Sequence, residues 1–222
     1  MPKLAIVAAL EREVRPLVKT WCSSQREHDG RRFRFYENGE VVLVCGGIGA
    51  APARRASEAV IALFNPQRIC SAGFAGALDP KLEVGDLVRP ATVINGADGS
   101  RTIVNGGAGV LVSFGSVADP EQKKKLRDSY DAEMVDMEAA AVARSAEARG
   151  KDFIAVKAVS DELDFEFPSM DRFVDSEGRF LEGRFAFYVA IRPWIWPRIM
   201  RLAQNSNRAA HALCMYLRTL SA

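Results

Sequence analysis

Leu4-Ala5-Ile6-Val7-Ala8-Ala9-Leu10-Glu11-Arg12-Glu13-Val14 is an apolar run that turns abruptly to charge. An apolar stretch of strand length with no alternation predicts a strand buried on both faces, here over 3–9, followed by a helix carrying Glu11, Glu13 and Val14. Such strands belong to sheets with helices on both sides, and the rest of the chain keeps that alternation. Strands are predicted over 33–36 and 41–45, joined by a hairpin turn at Asn38-Gly39. Gly46-Gly47-Ile48-Gly49 is a glycine-rich turn before an amphipathic helix over 50–64, which ends ahead of Asn65-Pro66. A short strand over 67–71 leads into a glycine turn at 73–76. Gly85-Asp86 turns into a strand over 87–94, and 95–108 reads as a loop or short hairpin. A strand over 109–113 precedes a charged helix over 120–129 opened by Asp119-Pro120. A helix over 137–149 closes at Gly150, and a buried strand over 152–159 ends in Ser160-Asp161. Residues 162–183 mix acidic and aromatic side chains, and 184–218 reads as helix interrupted at Pro193 and Pro197. The expected class is α/β. One domain over 1–222 holds a twisted, mostly parallel or mixed sheet between two helical layers, with 184–218 an aromatic, apolar C-terminal segment.

Composition narrows the function. The chain has 222 residues, of which 48% are hydrophobic, enough for one large core. A net charge of +2 demands no nucleic-acid partner, and the runs Arg31-Arg32 and Lys123-Lys124-Lys125 read as solvated faces. The N-terminal apolar run is too short for a secretory signal, and no stretch of about 18 apolar residues predicts a spanning helix. Cysteines at 22, 45, 70 and 214 lack metal-site spacing and suit a reducing cytoplasm; Cys45 and Cys70 lie in strand-like runs and are expected buried. Only His28 and His211 exist, neither beside a nucleophile motif, so neither a histidine metal site nor a Ser-His-Asp triad is expected. No metal and no cofactor are expected. The turn at 46–49 lacks the GxGxxG spacing of a dinucleotide-binding oxidoreductase.

In a parallel α/β sheet, ligands gather at the carboxyl ends of the strands. Four such ends carry unusual residues: Glu11 and Glu13, the glycine segment 73–76, Asp136-Met137-Glu138, and Ser160-Asp161. Cleavage of a purine N-glycosidic bond needs an acid for the leaving base, a base for water, and a carboxylate on the ribosyl hydroxyls as positive charge develops. Each residue also has a plain structural reading. Glu11, Glu13 and Glu138 could be first-turn acids favoured by a helix dipole, Asp161 a cap partnered by Ser160, and 73–76 mere punctuation. Their joint order favours the functional reading.

The segment Leu4–Val14, Ser71-Ala72-Gly73-Phe74-Ala75-Gly76 with Val84-Gly85-Asp86, Val135-Asp136-Met137-Glu138-Ala139-Ala140-Ala141 and Val156-Lys157-Ala158-Val159-Ser160-Asp161 occur in that order. Together they resemble the methylthioadenosine/S-adenosylhomocysteine nucleosidase branch of the purine nucleoside phosphorylase superfamily, over roughly 3–161. The resemblance implies that Glu13 activates water and that Glu138 takes the ribose hydroxyls while Met137 packs on the sugar. It implies that Asp161, with Ser160 beside it, is the general acid at purine N7 and accepts from a 6-amino group. Ala75 and Gly76 match the turn near base and sugar, and Val117 and Ala118 the segment that packs on the base. A homo-oligomer is implied as well.

Three departures bear on the substrate. Phe74 stands where these nucleosidases usually carry a small hydroxyl residue. The stretch between 87–94 and Met134 is shorter, which opens the pocket. The tail Phe185–Met200 is aromatic, apolar and edged with arginine. It reads as a core or subunit-interface helix, or as a lid or membrane-surface helix through 185–200. Tail and shortened middle resemble the hopanoid-associated members of the superfamily, which implies an adenosine with a large apolar 5′ group such as adenosylhopane. Carboxylates at the first strand end would repel phosphate, so water is the expected nucleophile. Phosphorolysis, with Arg12, Arg54 and Arg55 binding phosphate, is the alternative, and a non-catalytic nucleoside-binding protein is another.

Overall fold

The computed structural model describes residues 2–166, 171–175 and 177–220. At its centre β1 (Leu4–Ala8) runs parallel to β4 (Val41–Cys45) on one side and to β5 (Arg68–Ala77) on the other. β5 also carries β11 (Asp152–Asp161) in parallel. β5 outruns β1: its pairing with β1 ends at Ser71, and Gly76 and Ala77 then pair antiparallel with β10 (Met134–Asp136). From β10 the sheet continues through β9 (Val110–Ser113) and β7 (Thr92–Asn95), both parallel, to β8 (Arg101–Ile103). At the other end β2 (Cys22–His28) and β3 (Arg31–Asn38) add an antiparallel edge to β4, and β6 (Leu87–Val88) pairs with β11.

The unalternating apolar run of β1 has its explanation in the layers. Leu4, Ile6 and Ala8 face a core shared with Val14, Leu17 and Val18 of α1 (Glu11–Val18) and with Leu213 and Leu217 of α6 (Trp196–Leu220). Ala5 and Val7 face the opposite core, built by Ala56, Val60 and Phe64 of α2 (Ala50–Phe64) and by Val142 and Ala146 of α4 (Ala139–Glu147). A three-layer mixed-sheet α/β architecture results, as expected from the alternation of buried strands and helices. Alanines make up most of the buried face of α4, and α2 buries Ala53, Ala56 and Ala59 beside larger side chains.

Several local expectations need correction. Residues 73–76 are strand, not turn: β5 runs through them, and neither Gly73 nor Gly76 has positive φ. Small side chains there serve close approach rather than a bend. The stretch 87–94 is two strands, because Pro90 has no N–H for a ladder and separates β6 from β7. The helix expected from 137 starts at Ala139, with Glu138 as its N-cap. Pro197 breaks nothing, since it sits in the first turn of α6, where a missing N–H costs no bond. Lys123 is not on a solvated face: it is 1% exposed on the inner side of α3 (Pro120–Tyr130). Cys70 is buried as expected and burial pushes its thiol up to about 12, while Cys45 is half-buried.

Candidate active site

The carboxyl ends of β1, β4, β5, β9, β10 and β11 surround one cavity of about 440 Å³. Glu13, Ala75, Gly76, Val117, Ala118, Met137, Glu138, Ser160 and Asp161 all line it. The sequence-derived site residues thus lie together around one space, although they come from five separate segments of the chain.

Glu13 belongs to the first turn of α1, where the apolar strand has just ended. Its Oε2 reaches back to the N–H of Leu10 at 3.5 Å. The side chain is 6% exposed. Burial pushes its carboxyl up to about 7, against the opposing pull of the Lys157 and Arg12 cations. Gly73 makes that position possible: a Cβ there would stand 3.1 Å from Glu13 Oε2 and 3.8 Å from Lys157 Nζ.

Glu138 enters from the N-cap of α4, half-buried, with its Oε1 accepting the Gly49 N–H at 2.7 Å. Burial and the neighbouring Asp136 charge both raise its carboxyl, with Lys157 and the Gly49 bond acting the other way. The glycine turn after β4 therefore orients a carboxylate instead of cradling a phosphate. Met137 sits beside it on the cavity wall.

Beneath these two glutamates lies a network that sequence reasoning missed. Lys157 Nζ, 1% exposed, is 2.7 Å from Asp136 Oδ2 and donates to Ser71 Oγ at 3.2 Å. Burial pulls the ammonium down, but Asp136, Glu138 and Glu13 more than offset it, and Lys157 is raised overall. Asp136 Oδ1 accepts from Ser113 Oγ at 2.5 Å, and its Oδ2 accepts from Ala139 N–H at 2.9 Å, which fixes the start of α4 and so the position of Glu138. The available signal was a lone lysine inside the apolar run of β11. A buried charge needs paired groups nearby, and Asp136 was the unassigned acid at the same rim.

At the far end, Asp161 is 3% exposed and receives two donors. Ser160 Oγ donates to Oδ1 at 2.6 Å, and Lys123 Nζ to Oδ2 at 2.5 Å. Lys123 is placed by the start of α3, where Asp119 and Gln122 bond reciprocally at 2.8 and 3.1 Å. Gly76 gives the pair room: a Cβ there would be 2.8 Å from Asp161 Oδ2 and 3.1 Å from Lys123 Cε.

Val117, Ala118, Phe74, Val174 and Phe180 add apolar surface to the wall, and Arg12 and Ser116 add polar groups. Phe180 packs edge-on against Phe185 of α5 (Glu182–Ala190) at 5.3 Å between ring centres, so the wall continues into the aromatic tail. Beyond that contact, Phe187, Trp194 and Met200 are 69%, 73% and 62% exposed, with Ile191 and Trp196 also open to solvent. Only the second half of α6 is buried, at Ala209, Ala210, Leu213, Cys214 and Leu217. Among the described residues, no helix is long and apolar enough to cross a membrane.

A second cavity adjoins the first through Ala9, Leu10, Arg12 and Phe180 and is lined by Arg31, Arg34, Arg55 and Arg179 among others. Of the six arginines that line it, Arg31, Arg34 and Arg55 have carboxylate partners, whereas Arg12, Arg32 and Arg179 make no ion pair among the described residues. Glu177 holds Arg31 and, at 3.7 Å, Arg55, while Glu11 lies 3.8 Å from Arg34.

Comparison with known proteins shows the family and the fold. The family model described as phosphorylase superfamily matches residues 3–129 and 108–183. A 5'-methylthioadenosine/S-adenosylhomocysteine nucleosidase of Staphylococcus epidermidis is 29% identical over 196 residues, covering 71% of this chain and 86% of the relative. An aminodeoxyfutalosine nucleosidase of Campylobacter jejuni is 26% identical over 208 residues, covering 75% and 91%. Among solved structures, a Helicobacter pylori 5'-methylthioadenosine/S-adenosylhomocysteine nucleosidase variant with 5'-methylthioadenosine in its active site aligns with a TM-score of 0.74 at 18% identity, covering 99% and 97% of the two chains.

Proposed function

This chain belongs to the phosphorylase superfamily, and from that premise we propose that it hydrolyses the N-glycosidic bond of a 5′-substituted adenosine. The observation that carries the reading is the convergence of Glu13, Glu138 and Asp161 on one cavity. Each acid has a separate task. Glu13, raised to about 7, takes a proton from water near neutral pH. Glu138, oriented by Gly49, grips the ribose hydroxyls and meets the positive charge that develops on the sugar. Met137 packs on the sugar, and Val117, Ala118, Ala75 and Gly76 enclose the base. Asp161 accepts from the 6-amino group, and the proton for N7 comes from its end of the cavity, where Ser160 steadies the carboxylate.

The whole chain acts as one unit, as a homo-oligomer, with 184–218 extending the site. A large apolar 5′ substituent, adenosylhopane being one such nucleoside, leaves the cavity past Phe180 and Phe185 toward the exposed aromatic tail. Trp194 and Trp196 beside Arg192 and Arg198 suit the surface of an anionic bilayer, which would deliver such a substrate. Phosphorolysis is the second reading, favoured by the arginine-lined cavity. Arg31, Arg34 and Arg55 are paired with Glu177 and Glu11, and Arg12, which lines both cavities with no ion pair among the described residues, is the cation a phosphate would use. Water is preferred because the carboxylates Glu13 and Glu138 on the first cavity repel an anion.

The test is turnover of 5′-methylthioadenosine and of an adenosine with a polycyclic apolar 5′ group, each with and without phosphate. The proposal expects free adenine and free sugar without phosphate, and faster release from the apolar substrate. Ribose 1-phosphate products would establish the second reading. Tight binding with no adenine release would make the protein a nucleoside-binding module.

A further inference from the structure

We propose that Lys123, not Asp161, is the proton donor to N7 of the leaving purine, and that Asp161 is its ionic partner. The inference rests on the nucleosidase reading above and adds a catalytic residue to it. Asp161 accepts on both oxygens, from Lys123 at 2.5 Å and from Ser160 at 2.6 Å, so in this arrangement it offers no hydrogen of its own. An ammonium has three N–H donors. Lys123 uses one on Asp161 Oδ2 and one on the Glu162 carbonyl, at 2.5 Å each, which leaves a third. Nζ and Asp161 lie at the same deep end of the cavity, and both residues line it. A base edge that reaches the carboxylate therefore reaches the ammonium.

The pair also fits the edge of adenine. That edge presents an acceptor at N7 beside a donor at N6. Lys123 supplies the donor and Asp161 the acceptor, side by side. A 6-oxopurine would set O6 against the carboxylate, so the same pair disfavours it.

The step balances. The C1′–N9 bond breaks and its electrons go to the purine. N7 takes a proton from Lys123 Nζ, which becomes a neutral amine next to Asp161. Water adds to C1′ and gives its proton to Glu13. The amine and Glu13 return to their starting states by exchange with solvent when products leave. Lys123 hides in a run of three lysines, and only the inward side of α3 singles it out.

The test compares wild type, Lys123→Met and Lys123→Arg on two leaving groups: adenine from 5′-methylthioadenosine, and nitrophenolate from 4-nitrophenyl β-D-ribofuranoside, which departs without a proton. Thermal melts confirm that the variants fold. We expect Lys123→Met to slow adenine release by about 100-fold or more, the scale of general acid catalysis, and to slow nitrophenolate release at least tenfold less. Lys123→Arg keeps a cation on Asp161 but does not surrender its proton, so it should lose adenine release like Lys123→Met. Equal losses on both leaving groups, or adenine release preserved in Lys123→Arg, would overturn the assignment and leave Lys123 a mere holder of Asp161. Wild type inactive on both substrates would instead contradict the nucleosidase reading itself.

Discussion

Replacing Glu13 by Gln should inactivate the protein and yet stabilise it, by an amount that depends on pH. In the fold, burial raises the Glu13 carboxyl from an ordinary 4.5 to about 7. The folded state therefore binds this proton more tightly than the unfolded state does. Its contribution favours folding at low pH and is lost as pH rises from the unfolded value through the folded one. At about 1.4 kcal/mol per unit, the change between pH 5 and pH 8 is about 2.5 kcal/mol. A glutamine side chain at this position keeps the shape without the charge and lacks this penalty. For a chain of this size, 1 kcal/mol moves Tm by about 2–4 °C. The melting temperature of Glu13→Gln relative to wild type should thus rise by about 5–10 °C on going from pH 5 to pH 8. Adenine release should meanwhile fall at least 100-fold, the usual scale for a lost general base. Wild-type activity should climb as pH increases through about 7, because the base works only when ionised. Scanning calorimetry at the two pH values, beside an adenine-release assay, measures both effects. A Tm difference that does not change with pH would refute the claim that this buried carboxylate is held at the cost of stability.

Three further outcomes follow from the same geometry. Gly73→Ala would press a methyl 3.1 Å from Glu13 Oε2; turnover should fall about tenfold or more while Tm moves by only a few degrees, and unaltered kinetics would show that the close approach is unimportant. Glu138→Gln should raise KM and lower kcat together, since it removes both hydroxyl binding and charge stabilisation, and indifference in steady-state kinetics would remove Glu138 from the sugar site. Trp194→Ser combined with Trp196→Ser should abolish cosedimentation with anionic vesicles and leave hydrolysis of 5′-methylthioadenosine in solution within about twofold; wild type that ignores vesicles of every composition would end the membrane reading.

The parts of the fold that sequence reading recovers are those where burial writes a pattern. β1, β4 and the stretch Phe153–Val156 of β11 are apolar because they are packed between helical layers, and α2 and α3 carry their own start and stop signals at Gly49, Asp119 and Asn65. β2 escaped, since Cys22–His28 is an exposed edge strand with no inward face to alternate. The second half of β5 was misread because Gly73 and Gly76 look like turn residues. Their smallness instead admits the Glu13 and Asp161 carboxylates from neighbouring elements, a tertiary reason that local pattern does not carry. The acidic residues of the site were legible from their places after strands. Their cationic partners were not: Lys157 and Lys123 gain meaning only from which acid each one meets in space.

Under the proposed function, three acids distant in sequence direct water onto the sugar carbon of a purine nucleoside. Oxygen-18 water supplies the most direct measurement, with the purified chain, 5′-methylthioadenosine and no phosphate. One adenine released per sugar and one labelled oxygen at C1 of the product are expected, both lost in Glu13→Gln. An intact nucleoside after prolonged incubation, or adenine release that requires phosphate and leaves the sugar unlabelled, would contradict that function.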